Sequence, residues 1–211
     1  MSDIQNPVYI FTRRIVSPYQ DVIIDYPFVT GFKTLAVQNT INSRIMKTVN
    51  QLIYEQTNKL LEQGYKAPQM TIQGWYEIKT NERGVLSLSI GNYTIAYPAA
   101  HGLTIIKSLT FDINTGKEYK LEELFKPGSD YVGVLSKIIQ KQIKEREIPI
   151  LGEFKQIQAD QDYYIADKAL VIYFQLYEIT AYAFGFPMFP ISVYEIQYII
   201  REGSPLAAML T

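Results

Sequence analysis

Glu178 is the carboxylate whose neighbours best suit it to acid–base chemistry. It sits among Phe174, Leu176, Tyr177, Ile179 and Tyr182, and burial in such company raises a carboxyl pKa unless hydrogen bonds satisfy the charged form. A general acid requires that environment. The same residue also suits a structural role, as an acceptor that pins the backbone of its own loop, since buried polar groups are usually hydrogen-bonded for stability alone. The structural role is the expected one. A carboxylate-dependent hydrolase centred on Glu178 is the enzymatic alternative, and it would need a second carboxyl group about 5–9.5 Å away across a sugar, a separation that sequence does not measure.

Other catalytic constellations fail on inventory. His101 is the only histidine and there is no cysteine, so a thiol nucleophile, a disulfide framework and a usual zinc site are excluded, and no G-x-S-x-G elbow exposes a serine to His101. The segment Thr30-Gly31-Phe32-Lys33-Thr34 lacks the upstream glycine of a phosphate loop and carries Phe32 where a glycine belongs. No catalytic residue, cofactor or metal is expected. The remaining chemistry is recognition. Seventeen tyrosines and the single Trp75 offer rings with a flat apolar face and a polar edge, suited to sugars or protein partners. Tyr97, Tyr177 and Tyr182 fall in loops, where binding residues concentrate. His101 is either ligand-facing or, as expected, a hydrogen-bonded brace of its loop. The run Phe184, Gly185, Phe186, Pro187, Phe189 and Pro190 reads equally as a packed crossing segment or an exposed apolar ridge for a protein partner.

The elements that must hold these residues are legible from periodicity. Strands are expected over Val8–Ile15, broken at Ser17-Pro18, and over Val22–Tyr26, ending at Pro27. From Thr34 to about Gln63 apolar residues recur at spacings of three and four, with Gly64 placed to stop one long amphipathic helix. Met70–Lys79 and Val85–Tyr97 form a hairpin around Asn81-Glu82-Arg83-Gly84, with Leu86, Leu88 and Ile90 on an apolar face and serines and Gly91 on a small polar one. A strand over Leu103–Ile113, a turn at Asn114–Lys117 and a short helix over Leu121–Phe125 follow. Ser129 or Asp130 caps a helix through about Arg146, with Leu135, Ile138, Ile139 and Ile143 inward. Strands over Asp162–Ala166 and Ala169–Leu176 flank Asp167-Lys168, and a short helix is expected from Ser192 to about Tyr198. The tail from Gly203 is expected to fray. Strands that cluster between helices without βαβ alternation predict an α+β fold, a mainly antiparallel sheet packed by the long N-terminal helix and a second helix near 130–146, in one compact domain over 1–202.

Charge narrows the partners. Twenty basic and twenty-one acidic residues nearly cancel, and without a basic run the footprint for nucleic acid is missing. No apolar stretch reaches the roughly 20 residues that span a bilayer. Met1–Pro7 has neither the basic nor the apolar region of a secretory signal, which points to a cytoplasmic protein or a removed leader.

Three stretches carry a resemblance: Tyr97-Pro-Ala-Ala-His101-Gly102; Phe111-Asp-Ile-Asn-Thr-Gly116-Lys with Leu121-Glu-Glu-Leu-Phe125; and Tyr177-Glu-Ile-Thr-Ala-Tyr182-Ala-Phe-Gly185. Together they resemble the RsiV-like domain, found in a lysozyme-sensing anti-sigma factor and beside the catalytic domain of a peptidoglycan deacetylase. The likeness covers roughly residues 85–200, and the part over about 8–84 resembles the small PdaC-type domain that often accompanies it. The resemblance implies a noncatalytic α+β sensor or accessory module, often outside the membrane, that recognises a cell-wall glycan or a wall-acting protein such as lysozyme. Tyr97, His101, Tyr177, Glu178, Tyr182, Phe186 and Phe189 are then the candidate contacts. Where the family commonly has Gly-Gly before Ala-His-Gly, this chain has Pro98-Ala99. An intracellular structural or regulatory protein is the remaining alternative.

Overall fold

Thr34 starts the element that organises the molecule. Its hydroxyl accepts from the Val37 amide at 3.2 Å, satisfying one of the orphan donors of the first turn, and helix α1 runs from there over Leu35–Glu62. Ile41, Ile45, Val49 and Leu52, three or four residues apart, are essentially inaccessible, each burial contributing about 1.5–3 kcal/mol. Gly64, at φ 90°, ends the helical path. In this computed structural model, residues 7–17 and 21–210 are described. The break expected at Pro18 and the Met1–Asn6 segment lie outside them.

Helix α1 lies on one face of a five-stranded sheet ordered β1 (Tyr9–Ser17), β2 (Asp21–Thr30), β3 (Met70–Glu82), β4 (Val85–Ala96), β5 (Leu103–Asp112). All neighbours pair antiparallel except β2 with β3, which α1 connects as a parallel crossover. Strand β2 does not stop at Pro27, as expected, but continues to Thr30. Its pairing with β3 covers only Asp21–Ile24, so Pro27 needs no donor on that flank. The β3–β4 turn is tighter than the expected four-residue loop: Arg83 (φ 53°) and Gly84 (φ 76°) alone form it, the two-residue turn whose twist matches the strands.

A second sheet, β6 (Tyr163–Ala166), β7 (Ala169–Tyr173), β8 (Met188–Ser192), is antiparallel throughout. One face joins a core with α2 (Tyr131–Glu145) and α3 (Pro205–Ala208). The other, with Tyr164, Val171 and Tyr173, meets Ile106 of the first sheet. Asp130 caps α2 by accepting from Gly133 N at 3.0 Å. The serine face of β4 is not solvated. Ser87 Oγ accepts from Ile165 N at 3.0 Å and Thr80 Oγ1 donates to Ile165 O at 2.8 Å, so small hydroxyls seam the two sheets where larger side chains would hold them apart. The result is the mixed α+β fold read from the sequence.

Two expectations fail here. The helix expected over Ser192–Tyr198 is absent: Ser192 ends β8 and residues 193–198 form successive turns. The segment after Gly203 does not fray: Ser204 caps α3 through Ala207 N at 3.3 Å, and Leu206 and Met209 are fully buried.

Three carboxamides each grip both backbone groups of a single residue in a strand or just before one. Asn42 accepts from Val29 N at 2.9 Å and donates to Val29 O at 2.8 Å; Asn81 does the same for Val8 at 3.0 and 2.8 Å; Gln175 for Ile106 at 3.2 and 2.7 Å. Each side chain supplies a donor and an acceptor in the spacing of a neighbouring strand. Gln175 thereby fastens the loop after β7 to β5, the sheet edge nearest the candidate site.

Candidate functional site

The last turns of α1, the end of β4 and the loop leading into β5 enclose a cleft of about 210 Å³, lined by Gln56, Lys59, Leu60, Thr94, Ala99 and His101 among others. Its floor is polar and mostly paired within the protein, with Asn92 Oδ1 buried and unpartnered. Thr94 Oγ1 donates to Gln56 Oε1 at 2.6 Å, Asn92 Nδ2 donates to the same oxygen, and Gln56 Nε2 donates to Asn92 O at 3.1 Å and Leu103 O at 3.3 Å. The groups at the rim that face a ligand include the Lys59 ammonium, the Gln63 carboxamide and the His101 imidazole. His101 Nδ1 lies 3.2 Å from Gly102 O. A carbonyl only accepts, so the neutral ring carries its proton on Nδ1 and keeps Nε2 as an acceptor. The expected loop brace is present, and it leaves one edge of the ring available.

Beside the cleft three sequence-predicted residues come together. The His101 ring lies 4.9 Å from that of Tyr182, tilted by 34°, and Tyr182 lies 5.5 Å from Tyr177 at the same tilt. Tyr182 also donates from its hydroxyl to Gly102 O at 3.3 Å, so the stack is fixed at both its middle and its His101 end. Tyr177 takes φ 68°, a conformation uncommon for residues other than glycine. The turn that holds it there is closed by Glu178 N donating to Gln175 O at 3.1 Å and by Gln175 N donating to Glu178 Oε2 at 2.7 Å.

Glu178 therefore differs from the acid its neighbours suggested. It is exposed, because the turn swings it outward while Phe174 and Thr180 go inward, so the apolar surroundings expected of it are missing. Its second oxygen accepts from Gln161 Nε2 at 3.0 Å. It does share a separate cleft of about 260 Å³ with Glu153, yet both of its oxygens are already bound within the protein.

The apolar ridge divides. Phe189 is fully buried in β8, edge-on to Phe174 at 5.7 Å, and is corrected from a candidate contact to a core residue. Strand pairing with β7 turns it inward, while Pro190 faces out on the sheet's edge strand. Phe186 is half-buried and Phe184 is exposed. Tyr97 is 79% exposed, precedes a cis bond to Pro98 and stands outside the cleft lining.

Sequence reasoning missed Gln56, Lys59 and Thr94. A signal existed for one: Gln56 lies four residues from both Leu52 and Leu60, a polar residue inside the apolar stripe of α1. Among the described residues no group of three or more His, Cys, Asp or Glu is arranged to hold a metal ion, and no helix is long and apolar enough to cross a membrane.

Residues 122–194 match the family model described as "Protein of unknown function (DUF3298)". That stretch contains Tyr177 and Tyr182 but neither His101 nor the α1 wall of the cleft. Similar solved structures span nearly the whole chain. One, a member of the DUF3298 family from Bacteroides fragilis NCTC 9343, superposes with a TM-score of 0.74 at 12% identity, covering 97% of this chain and 98% of that one. Another, a DUF3298 family protein from Pseudomonas aeruginosa PAO1, gives 0.69 at 10% identity, covering 95% and 97%. At such identities the likeness establishes the fold. No curated protein matches the sequence.

Proposed function

We propose that this chain is a noncatalytic binding module that recognises a cell-wall glycan at the His101–Tyr182–Tyr177 stack and the cleft beside it. The stack carries the reading: three tilted rings held by Gly102 O and by a strained turn, with Tyr177 50% exposed, next to an ammonium and an imidazole acceptor. Flat apolar faces beside a few convergent polar groups match the alternating apolar and hydroxyl faces of a sugar. The resemblance of the same segments to RsiV-like domains supports a ligand from the cell wall. The hydrolase alternative loses its support, because Glu178 is exposed and spends both oxygens on the turn and on Gln161.

A wall-acting protein such as lysozyme remains the second reading, favoured by the adjoining exposed rings of Tyr177 and Phe184. Calorimetric and NMR titration of the purified chain with muropeptides and, in parallel, with lysozyme separates the two. Heat and a shift of the His101 imidazole signals with muropeptides are expected. A response to lysozyme alone transfers the site to the protein partner, and silence with both ligands refutes a wall-directed binding role.

A further inference from the structure

The face of the five-stranded sheet opposite α1 is only partly covered. Leu86, Leu88 and Ile90 of β4 point to α1, so Ser87, Ser89, Gly91 and Tyr93 point the other way. The second sheet sits over the Ser87 end. It reaches as far as Ile106, the partner of Gly91, and from Gly91 onward two aromatic rings lie directly on glycines. Trp75 is the cross-strand partner of Gly91, and a Cβ on Gly91 would come under 3.0 Å from its Cε2, Cζ2 and Nε1 atoms. Tyr93 lies likewise on Gly102, where a Cβ would be 2.6 Å from ring atoms Cε2 and Cζ. Neither glycine has a positive φ, so each is there to let a ring settle on the backbone, one face down. Trp75 is still 37% exposed.

Gly102 joins this pair to the stack, since its carbonyl receives Tyr182 and His101 while Tyr93 covers its Cα. Trp75, Tyr93 and Gly102 thus step across β3, β4 and the start of β5, about 10 Å at the usual strand spacing. The charges nearest Trp75 cancel, because Glu77 and Lys79 form an ion pair and Lys79 lies over the Tyr164 ring. Beside Trp75 a shallow recess is lined by Ser89, Ile106, Tyr164 and Tyr173; the Tyr173 hydroxyl is spent on Ser108 and that of Tyr164 on Met188, which leaves the Ser89 hydroxyl among apolar surface. A polyanion finds no excess positive charge here, and an uncharged chain of rings bearing hydroxyls finds both kinds of contact.

We infer that Trp75 and Tyr93 extend the binding site into a platform for a linear, uncharged glycan of several sugar units, one end of which rests on the His101–Tyr182–Tyr177 stack. The inference builds on the glycan reading above and adds the length of the ligand and the residues that measure it. Trp75 is the only tryptophan, so its emission reports this platform alone. In titrations with N-acetylglucosamine oligomers, the hexasaccharide binds about tenfold tighter than the disaccharide, the contribution of about one further ring-stacking contact. Only the hexasaccharide shifts Trp75 emission. Trp75→Ala removes the advantage of length and leaves disaccharide affinity unchanged, Trp75→Phe restores most of it by keeping a flat ring, and Tyr182→Ala weakens both oligomers. Equal binding of the two oligomers with silent Trp75 emission overturns the platform and leaves the stack standing. Rescue by Trp75→Leu as complete as by Trp75→Phe reduces the patch to plain apolar contact and also overturns it. Binding of neither oligomer overturns the stack as a site for such sugars, and the platform with it.

Discussion

Replacing Gly102 by Ala tests whether the site is built by close approach of backbone and ring. The added Cβ would stand 2.6 Å from the carbonyl oxygen of Thr94 as well as from the Tyr93 ring. A flexible side-chain end can retreat from such an approach, but Thr94 O belongs to β4 next to β5, in a residue whose partner is Leu103. The methyl group must therefore either displace the last pair of that ladder or lift Tyr93. Overpacking of this kind costs about 1–3 kcal/mol. With a backbone atom involved the upper half of that range, about 2–3 kcal/mol, is expected, or about 4–12 °C in Tm for a domain of this size. Calorimetric melting of Gly102→Ala, Tyr93→Ala and the double variant apportions the effect. Gly102→Ala should cost less in the Tyr93→Ala background, the saving being the ring's share and the remainder that of Thr94 O. A Gly102→Ala protein that melts within a degree of the parent, with the same increment in both backgrounds, would refute the close-approach argument.

Three further outcomes follow from the same geometry. Leu206→Ala, at a fully buried side chain of the C-terminal segment, should lower unfolding free energy by about 2–5 kcal/mol in denaturant melts; a change below about 0.5 kcal/mol would mean that the segment is not docked. Glu178→Gln should loosen the turn at Tyr177, by about 1 kcal/mol for the charge-assisted bond to Gln175 N, and weaken binding at the stack in step with it; loss of ligand-linked chemistry with full stability would instead make Glu178 a reacting group. Glu123 is held below the ordinary carboxylate range by its bond to Lys117 and by the Lys120 amide. A depressed folded pKa contributes stability that is fully present above the ordinary range and lost as pH falls through it toward the lower folded value. The Tm of the parent should therefore fall more steeply on acidification than that of Glu123→Gln, and parallel profiles would remove this contribution.

The two long helices were legible because their signals are local. The periodicity expected from Thr34 begins where Thr34 caps α1, Asp130 is the one of the two expected caps that serves α2, and the apolar spacing that follows each fixes its buried side. The hairpin was legible as a pair of runs, but not its register. The Arg83-Gly84 turn alone would set Trp75 opposite Asn92 and turn it toward α1. A bulge between Ile78 and Thr80 shifts the pairing by one, bringing Trp75 opposite Gly91 and onto the other face. No residue pattern marks that bulge, so the platform was hidden. At the stack, the sequence supplied His101, Tyr177 and Tyr182 as loop aromatics, whereas their meeting depends on Gln175 fastening one loop to β5. The burial of Glu178 was misread because a string of apolar neighbours in sequence says nothing about a turn that sends alternate residues to opposite sides. Phe189 was misread because Pro187 and Pro190 concealed an edge strand.

The three carboxamide grips on Val8, Val29 and Ile106 also set how the protein ages. Each depends on one side chain offering an N–H and an oxygen together. Hydrolysis of the amide to a carboxylic acid removes the donor and leaves only acceptors at neutral pH. Where Asn42 now donates to Val29 O, an aspartate would set a charged oxygen against the carbonyl and turn an attraction into repulsion. A single atom exchange of this kind, invisible in size or shape, would loosen α1 from β2, unpin the start of β1 or release the Tyr177 loop from its sheet. Asparagine amides hydrolyse faster than glutamine amides, so preparations kept long in warm alkaline buffer should lose the Asn42 and Asn81 grips on the fold before the Gln175 grip on the site, and the loss should be traceable as a gain of negative charge.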